Sequence, residues 1–193
     1  MRVDLVKQVN SSFLSCEKDI EVILKKLFIE AGSASEDLKR LLLISNKNCL
    51  DDRESEVFKK VLKEKGSVGN LFKEGYIRLA PKIEFGENED IKSYILITFN
   101  NFTENDTNPE FRDCTITFDV ICHTDYWDLG DFRQRPLKII GYLDGILNKE
   151  KLTGIGTLNF LSVNELVFNN ELSGYSLMYT ATHGSDDEIP IEE

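Results

Sequence analysis

Histidine is nearly absent from this chain, cysteine and proline are sparse, and basic residues are outnumbered. Each shortage removes a class of function. The four cysteines, Cys16, Cys49, Cys114 and Cys122, stand without CxxC spacing. They read as reduced, partly buried thiols rather than a disulfide framework. The two histidines, His123 and His183, leave little for a metal site. Cys122, His123 and Asp125 invite a metal cluster or a Cys–His nucleophile pair. Adjacent strand residues face opposite ways, however, which sets Cys122 and His123 apart. With 23 Lys and Arg against 34 Asp and Glu, the net charge is −11, the reverse of a basic nucleic-acid footprint. Such a surface favours solubility and repels DNA phosphates. No apolar run approaches a membrane span, and the opening MRVDLVKQVNSSFL lacks the long apolar core of a secretory signal. Walker A and GxSxG sequences are missing. GIGT (154–157) lacks the third glycine and the following helix of a dinucleotide fingerprint, and reads as a turn before a strand. No enzymatic activity, no cofactor and no membrane contact is expected.

What is present is enough apolar residue, 41%, to build a sizeable core in 193 residues. That length suits one domain, or one domain with a helical appendage. The first third is periodic at helical spacing. CEKDIEVILKKLFIEAG aligns Ile20, Ile23, Leu24, Leu27 and Phe28, with Gly32 at the C-terminal cap. SEDLKRLLLIS continues helical with Ser35 as candidate N-cap. ESEVFKKVLKEKG turns Val57, Phe58, Val61 and Leu62 inward and stops at Gly66. From Tyr76 the texture becomes that of strands. YILITF (94–99) predicts a buried strand. TITFDVICH (115–123) alternates, with Ile116, Phe118, Val120 and Cys122 on one face and Thr117, Asp119, Ile121 and His123 on the other. GTLNFLSV (156–163), ELVF (165–168) and SGYSLMYTATH (173–183) are further strands, the last two joined around NNEL.

Between them, DLGDFRQRPLKIIGYLDGILN (128–148) spaces Phe132, Leu137, Ile140, Leu143 and Leu147 as a half-buried helix does. Pro136 is tolerated only near a helix start. The spacing therefore predicts a start near Asp131 or Phe132, capped by Asp128 or Asp131, with room for a kink at Pro136. Gly141 and Gly145 form a smooth strip for close approach. The fold class is α+β: an antiparallel sheet packed by one long amphipathic helix, with an N-terminal helical region. The expected divisions are 1–74, helical; 75–184, the α+β domain; and 185–193, an acidic tail, SDDEIPIEE counting five acidic side chains from Ser185.

Candidate functional residues concentrate in loops. NNFTENDTNPEFRD (100–113) is polar and long for a hairpin, and long loops tend to be functional or mobile. Its carboxylates Glu104, Asp106, Glu110 and Asp113 suggest Mg²⁺ or nuclease chemistry, but such chemistry needs a rigid, basic surround and the loop offers only Arg112. Its aromatics Phe102 and Phe111, and Tyr126 and Trp127 after the strand, are the residue types that anchor interfaces.

The stretch PEFRDCTITFDVICHTDYWDLGDFRQRPLKIIGYLDGILNKEKLTGIGTLNFLSVNELVFNNELSGYSLMYTATHG resembles the tail-terminator (tail-completion, tail-to-head joining) proteins of long-tailed phages. Phe118 and Val120 match their F-x-V strand, Ile140, Asp144 and Leu147 their helix, and GYSLMYTATHG their closing strand. GYIRLAPKIEFGENEDIKSYILITF, from Gly75, resembles neck-region proteins of phages of low-GC Gram-positive bacteria. The likeness spans residues 75–184; the helical N-terminal third departs from it, leaving its docking open. It implies a structural virion protein made in the host cytoplasm. Such a protein forms a homo-oligomeric ring, commonly a hexamer, that caps the tail tube protein and meets a head-side connector or completion protein. DNA would pass the lumen without specific binding. Residues 100–113 and 124–131 would be contact elements, with Phe102, Phe111, Arg112, Tyr126 and Trp127 at the subunit or tube interface. Another neck component, such as a head-completion or stopper protein, or an acidic host-directed binding module, are the alternatives.

Overall fold

Apolar periodicity switches along the chain from helical to alternating, and the fold follows the switch. The computed structural model describes residues 16–79, 92–107, 111–152 and 155–183. Helix α1 (Cys16–Lys25) runs into a π-turn (Lys26–Glu30), and the stripe Ile23, Leu24, Leu27 and Phe28 is buried as its spacing requires. Gly32, at φ +58°, then reverses the chain into α2 (Ser33–Leu43). Because α2 opens at Ser33, Ser35 is not its cap; the Ser35 hydroxyl instead accepts the Ala31 amide at 3.1 Å. Helix α3 (Glu56–Lys65) ends at Gly66 as expected, the Gly66 amide donating to the Leu62 carbonyl at 2.8 Å. Its inward row needs correction: Phe58 and Val61 are half-buried against the core, but Val57 is 69% exposed. Helix α3 lies on the outside of α2, so only part of its apolar face finds cover. A short α4 (Val68–Lys73) follows, capped by the Ser67 hydroxyl.

The strands are β1 (Ile77–Arg78), β2 (Ser93–Glu104), β3 (Arg112–His123), β4 (Lys151–Leu152), β5 (Gly156–Thr157), β6 (Asn159–Val167) and β7 (Leu172–His183), with α5 (Arg135–Leu147) after β3. Five of them form one sheet in the order β1-β2-β3-β7-β6, antiparallel except for the β1–β2 pair. The protein is thus α+β. Two readings of the strands are corrected. Residues 159–167 are one strand, not two, and the turn to β7 is held by Asn169, whose Oδ1 accepts the Glu171 and Leu172 amides at 2.8 Å. The stretch 100–113 is strand at both its ends: pairing continues through Thr103↔Asp113 and Glu104↔Arg112, past a bulge where Asn101 adopts φ +53°. Polar side chains resemble a loop in sequence, but a hairpin end solvated on both faces needs no apolar ones. Pro109, Glu110, Gly154 and the acidic stretch 185–193 lie outside the described residues.

The alternation in β3 is as read. Ile116, Phe118, Val120 and Cys122 join Ile95, Ile97, Leu177 and Tyr179 on the face covered by helices. Ile121 joins Tyr94, Leu96 and Leu172 in a smaller cluster on the other face. The N-terminal helices dock on the sheet, because Ile23, Leu27, Leu38 and Leu41 share the core with Phe118 and Leu143. Helix α5 starts at Arg135, later than its spacing suggested, with Pro136 in the first turn and no side-chain cap. Asp128 is no cap; its carboxylate accepts the Gly130 amide at 2.7 Å in a turn that precedes the helix. Gly141 and Gly145 face open space, and among the described residues no element uses their strip.

One half-buried carboxylate makes stability depend on pH. Asp119, on the outer face, accepts the Ser176 hydroxyl at 2.5 Å, and burial raises its carboxyl above the ordinary range despite that bond. The folded chain therefore holds this proton more tightly than the unfolded chain does. The contribution to stability is full at low pH and is lost as pH rises through the folded value. Asp119→Asn should raise Tm at neutral pH, with a gain that shrinks as pH falls toward the unfolded carboxyl value of about 3.9. A gain that is the same at both ends of a pH series of thermal melts would remove this explanation.

Candidate interaction surfaces

Three of the five aromatic and basic residues picked out by sequence sit at one end of β3, and two sit at the other. At the hairpin end, Phe111 is 37% exposed. Arg112, half-buried, donates to the Phe111 carbonyl at 2.9 Å. Phe102 is half-buried in β2, stacked on Phe99 with ring centroids 6.5 Å apart and packed against the core. At the far end, the Trp127 indole N–H donates to the Cys122 carbonyl at 3.3 Å and its ring leans on Tyr175. Tyr126 offers its carbonyl to Arg135 at 2.8 Å. Twelve strand residues, about 40 Å at ~3.3 Å each, separate the two groups, so they are two surfaces and not one.

The hairpin end also holds a concavity of about 380 Å³ lined by Asn101, Thr103, Asp113, Cys114, Thr180 and Thr182. Its carboxylate is already engaged: Asp113 accepts from the Asn105 amide at 3.0 Å and the Thr182 hydroxyl at 2.7 Å. Burial pushes the Cys114 thiol up to about 12 and the Cys122 thiol to about 11, far from thiolate chemistry at neutral pH. His123 caps the short 3₁₀ turn at Thr124–Tyr126, its Nδ1 accepting the Asp125 amide at 3.2 Å. Among the described residues, no three His, Cys, Asp or Glu side chains converge as metal ligands.

The feature that periodicity misplaced is Phe132. Helical spacing put it on a half-buried face, yet it is fully exposed, at 105% of its reference area. Asp131 and Phe132 both adopt left-handed backbone, φ +49° and +61°. That conformation strains non-glycine residues by about 1–3 kcal/mol and persists only where surroundings enforce it. Here they do. The Arg133 amide donates to Gly130 O and the Leu129 amide to Arg133 O, both at 2.9 Å. The Arg133 guanidinium grips both Asp51 oxygens at 2.9 and 2.7 Å, and also donates to Leu129 O at 3.1 Å. An aromatic ring is thus held out in solvent by a turn braced from the N-terminal helical region. Leu137, five residues on in the first turn of α5, is 45% exposed. No signal in the sequence marks Phe132 as outward; only the adjoining Asp-Gly-type turn chemistry of DLGD hints that the helix has not yet begun.

Compared with known proteins, a family model described as YomW matches residues 35–181, and so takes in α2 and α3 as well as the sheet. No curated protein matches the chain.

Proposed function

The chain belongs to the YomW family, which points to a phage-associated protein, and we propose that it is a structural virion protein that caps the tail tube as an oligomeric ring and joins the tail to the head-side connector. The observation that carries this reading is Phe132. A strained, braced turn that holds an aromatic ring wholly in water costs stability and gives the monomer nothing. Such strain is kept where a partner uses the presented group, and aromatics in interface centres are the usual anchors. The net charge of −11 supports the passage of DNA through such a ring without counterion-releasing contacts. The tail tube protein and a second copy are the partners this reading requires.

The test is mass in solution by light scattering, for the protein alone and mixed with the tail-tube protein. A ring-sized species, alone or on mixing, is expected. Phe132→Gly separates function from folding. Glycine adopts φ +61° freely, so this variant should be more stable than wild type by up to about 1 kcal/mol, yet fail to form the ring or bind tube protein. A Phe132→Gly protein that assembles normally would take the carrying observation away, and a wild-type protein indifferent to tube protein would count against the tail-end role itself.

A further inference from the structure

Strand β6 is a long edge strand with little protection, a bulge near its start between Phe160 and Ser162 and one charge. Among the described residues nothing pairs with its outer side, since β6 ends the sheet order. It runs nine residues, about 30 Å at ~3.3 Å each. Natural edges are blunted by shortness, lysines, prolines or inward charge. Residues 159–168, NFLSVNELVF, hold no lysine and no proline, and a single charge at Glu165. The apolar side chains there are exposed: Phe160 49%, Leu161 50%, Val167 76% and Phe168 43%. The opposite edge shows what blunting looks like, since β1 is only two residues long.

We propose that β6 is a homotypic interface, pairing antiparallel with β6 of a second copy across a two-fold axis to make one sheet of both chains. Two features select a second copy. The first is self-complementarity. The segment is apolar at both ends, Phe160 and Leu161 at one and Val167 and Phe168 at the other, and mostly polar in the middle, where Ser162, Asn164 and Glu165 flank a half-buried Val163. In an antiparallel meeting, the Phe160–Leu161 end of one copy lies on the Val167–Phe168 end of the other, and the polar centres meet. The second is the two-residue β1, too short to serve as the other half of a head-to-tail sheet. Among the described residues β6 is the one long open edge, which favours like pairing with like, and an isologous contact closes as a dimer. An axis perpendicular to the sheet keeps both helical layers on the same side. The bulge between Phe160 and Ser162 leaves Ser162–Val167 in regular register for the pairing.

This inference does not rest on the tail-end reading, and one set of measurements separates them. Without tube protein the full chain should contain a β6-paired dimer, free or as the unit of a larger ring, that dissociates on dilution. Leu161→Lys combined with Val167→Lys should weaken the dimer by roughly tenfold or more, with circular dichroism unchanged. Should the pair of lysines unfold the chain, Val167→Lys alone carries the test, because that side chain is already mostly in solvent. Val57→Lys, on α3 and equally exposed, should leave the dimer intact. A wild-type monomer at every concentration, or a dimer or ring insensitive to these lysines, overturns the proposal. A lysine-sensitive dimer that ignores tube protein supports it while counting against the tail-end role.

Discussion

Replacing Arg135 with methionine should destabilise the fold by about 3–5 kcal/mol, a large fraction of the stability of a typical domain. Arg135 is 1% exposed, and among the described residues no carboxylate bonds it. Its charge is met by five carbonyls: Tyr126 at 2.8 Å, Leu41 at 2.7 Å, Ile44 at 2.8 Å, Ser45 at 3.1 Å and Asn46 at 3.2 Å. Four of these belong to the end of α2 and the chain just after it. A helix leaves its last carbonyls without internal partners, and the negative end of its dipole favours a cation. Arg135 therefore completes α2 from another part of the chain and ties the N-terminal helices to α5. Methionine fills the space but leaves the Leu41 and Ile44 carbonyls buried and unpaired, at about 1–3 kcal/mol each. Arg135→Lys should recover less than half, since one ammonium cannot span carbonyls on both sides as a planar fork does. Urea unfolding measures both. A loss under about 1 kcal/mol for methionine would mean that water or repacking satisfies those carbonyls, and the tie is not what holds the helices down.

That tie also marks the limit of what can be read from the chain. Alternation in TITFDVICH named the buried face of β3 because a strand's period is fixed by covalent geometry, and both faces came out as read. The helical stripe of α1 was legible for the same reason. Periodicity reports which face is apolar but not what covers it, which is why Val57 was misplaced. It also scores arginine as outward, so the buried Arg40 and Arg135 gave no sign of themselves. Arg135 is held by carbonyls far back along the chain, and Arg40 by the Glu36 carboxylate one turn before it and by the Cys49, Asp52 and Arg53 carbonyls; an apolar period reports neither set. The start of α5 was misjudged because Asp128 and Asp131 serve equally as caps or turn formers, and only the left-handed backbone at Asp131 and Phe132 decides between them. The same ambiguity hid Phe132. The aromatic and basic residues of the candidate surface were visible as types, but their split between opposite ends of β3 required the strand register.

Gly174→Ala should be nearly as damaging as loss of Arg135, by a different route. Gly174 lies in the body of β7, opposite Ile121 of β3 and Leu166 of β6. A methyl group built there would stand 1.8 Å from the Val120 carbonyl oxygen and 2.9 Å from its carbon. Real contacts of that kind do not occur, and the obstacle is backbone, which cannot swing aside as a side chain can. Either β7 moves away from β3 or the local ladder opens. Overpacking commonly costs about 1–3 kcal/mol, and rigid backbone puts this site at the upper end or beyond. Alanine also reduces the freedom of the unfolded chain, worth about 0.4–1 kcal/mol in the stabilising direction, too little to offset the clash. The strain falls beside Ile121 and Leu172, the floor of the smaller cluster, and on the register of β6 through Leu166. The expected result is a drop of about 3 kcal/mol in denaturant unfolding, with faster amide exchange in β6 and β7 than in α5. Uniform acceleration across the whole protein would instead place the damage in global stability alone. An unchanged midpoint would mean that β3 and β7 can part at Gly174 at little cost, and that the sheet is looser there than its twelve-residue ladder implies.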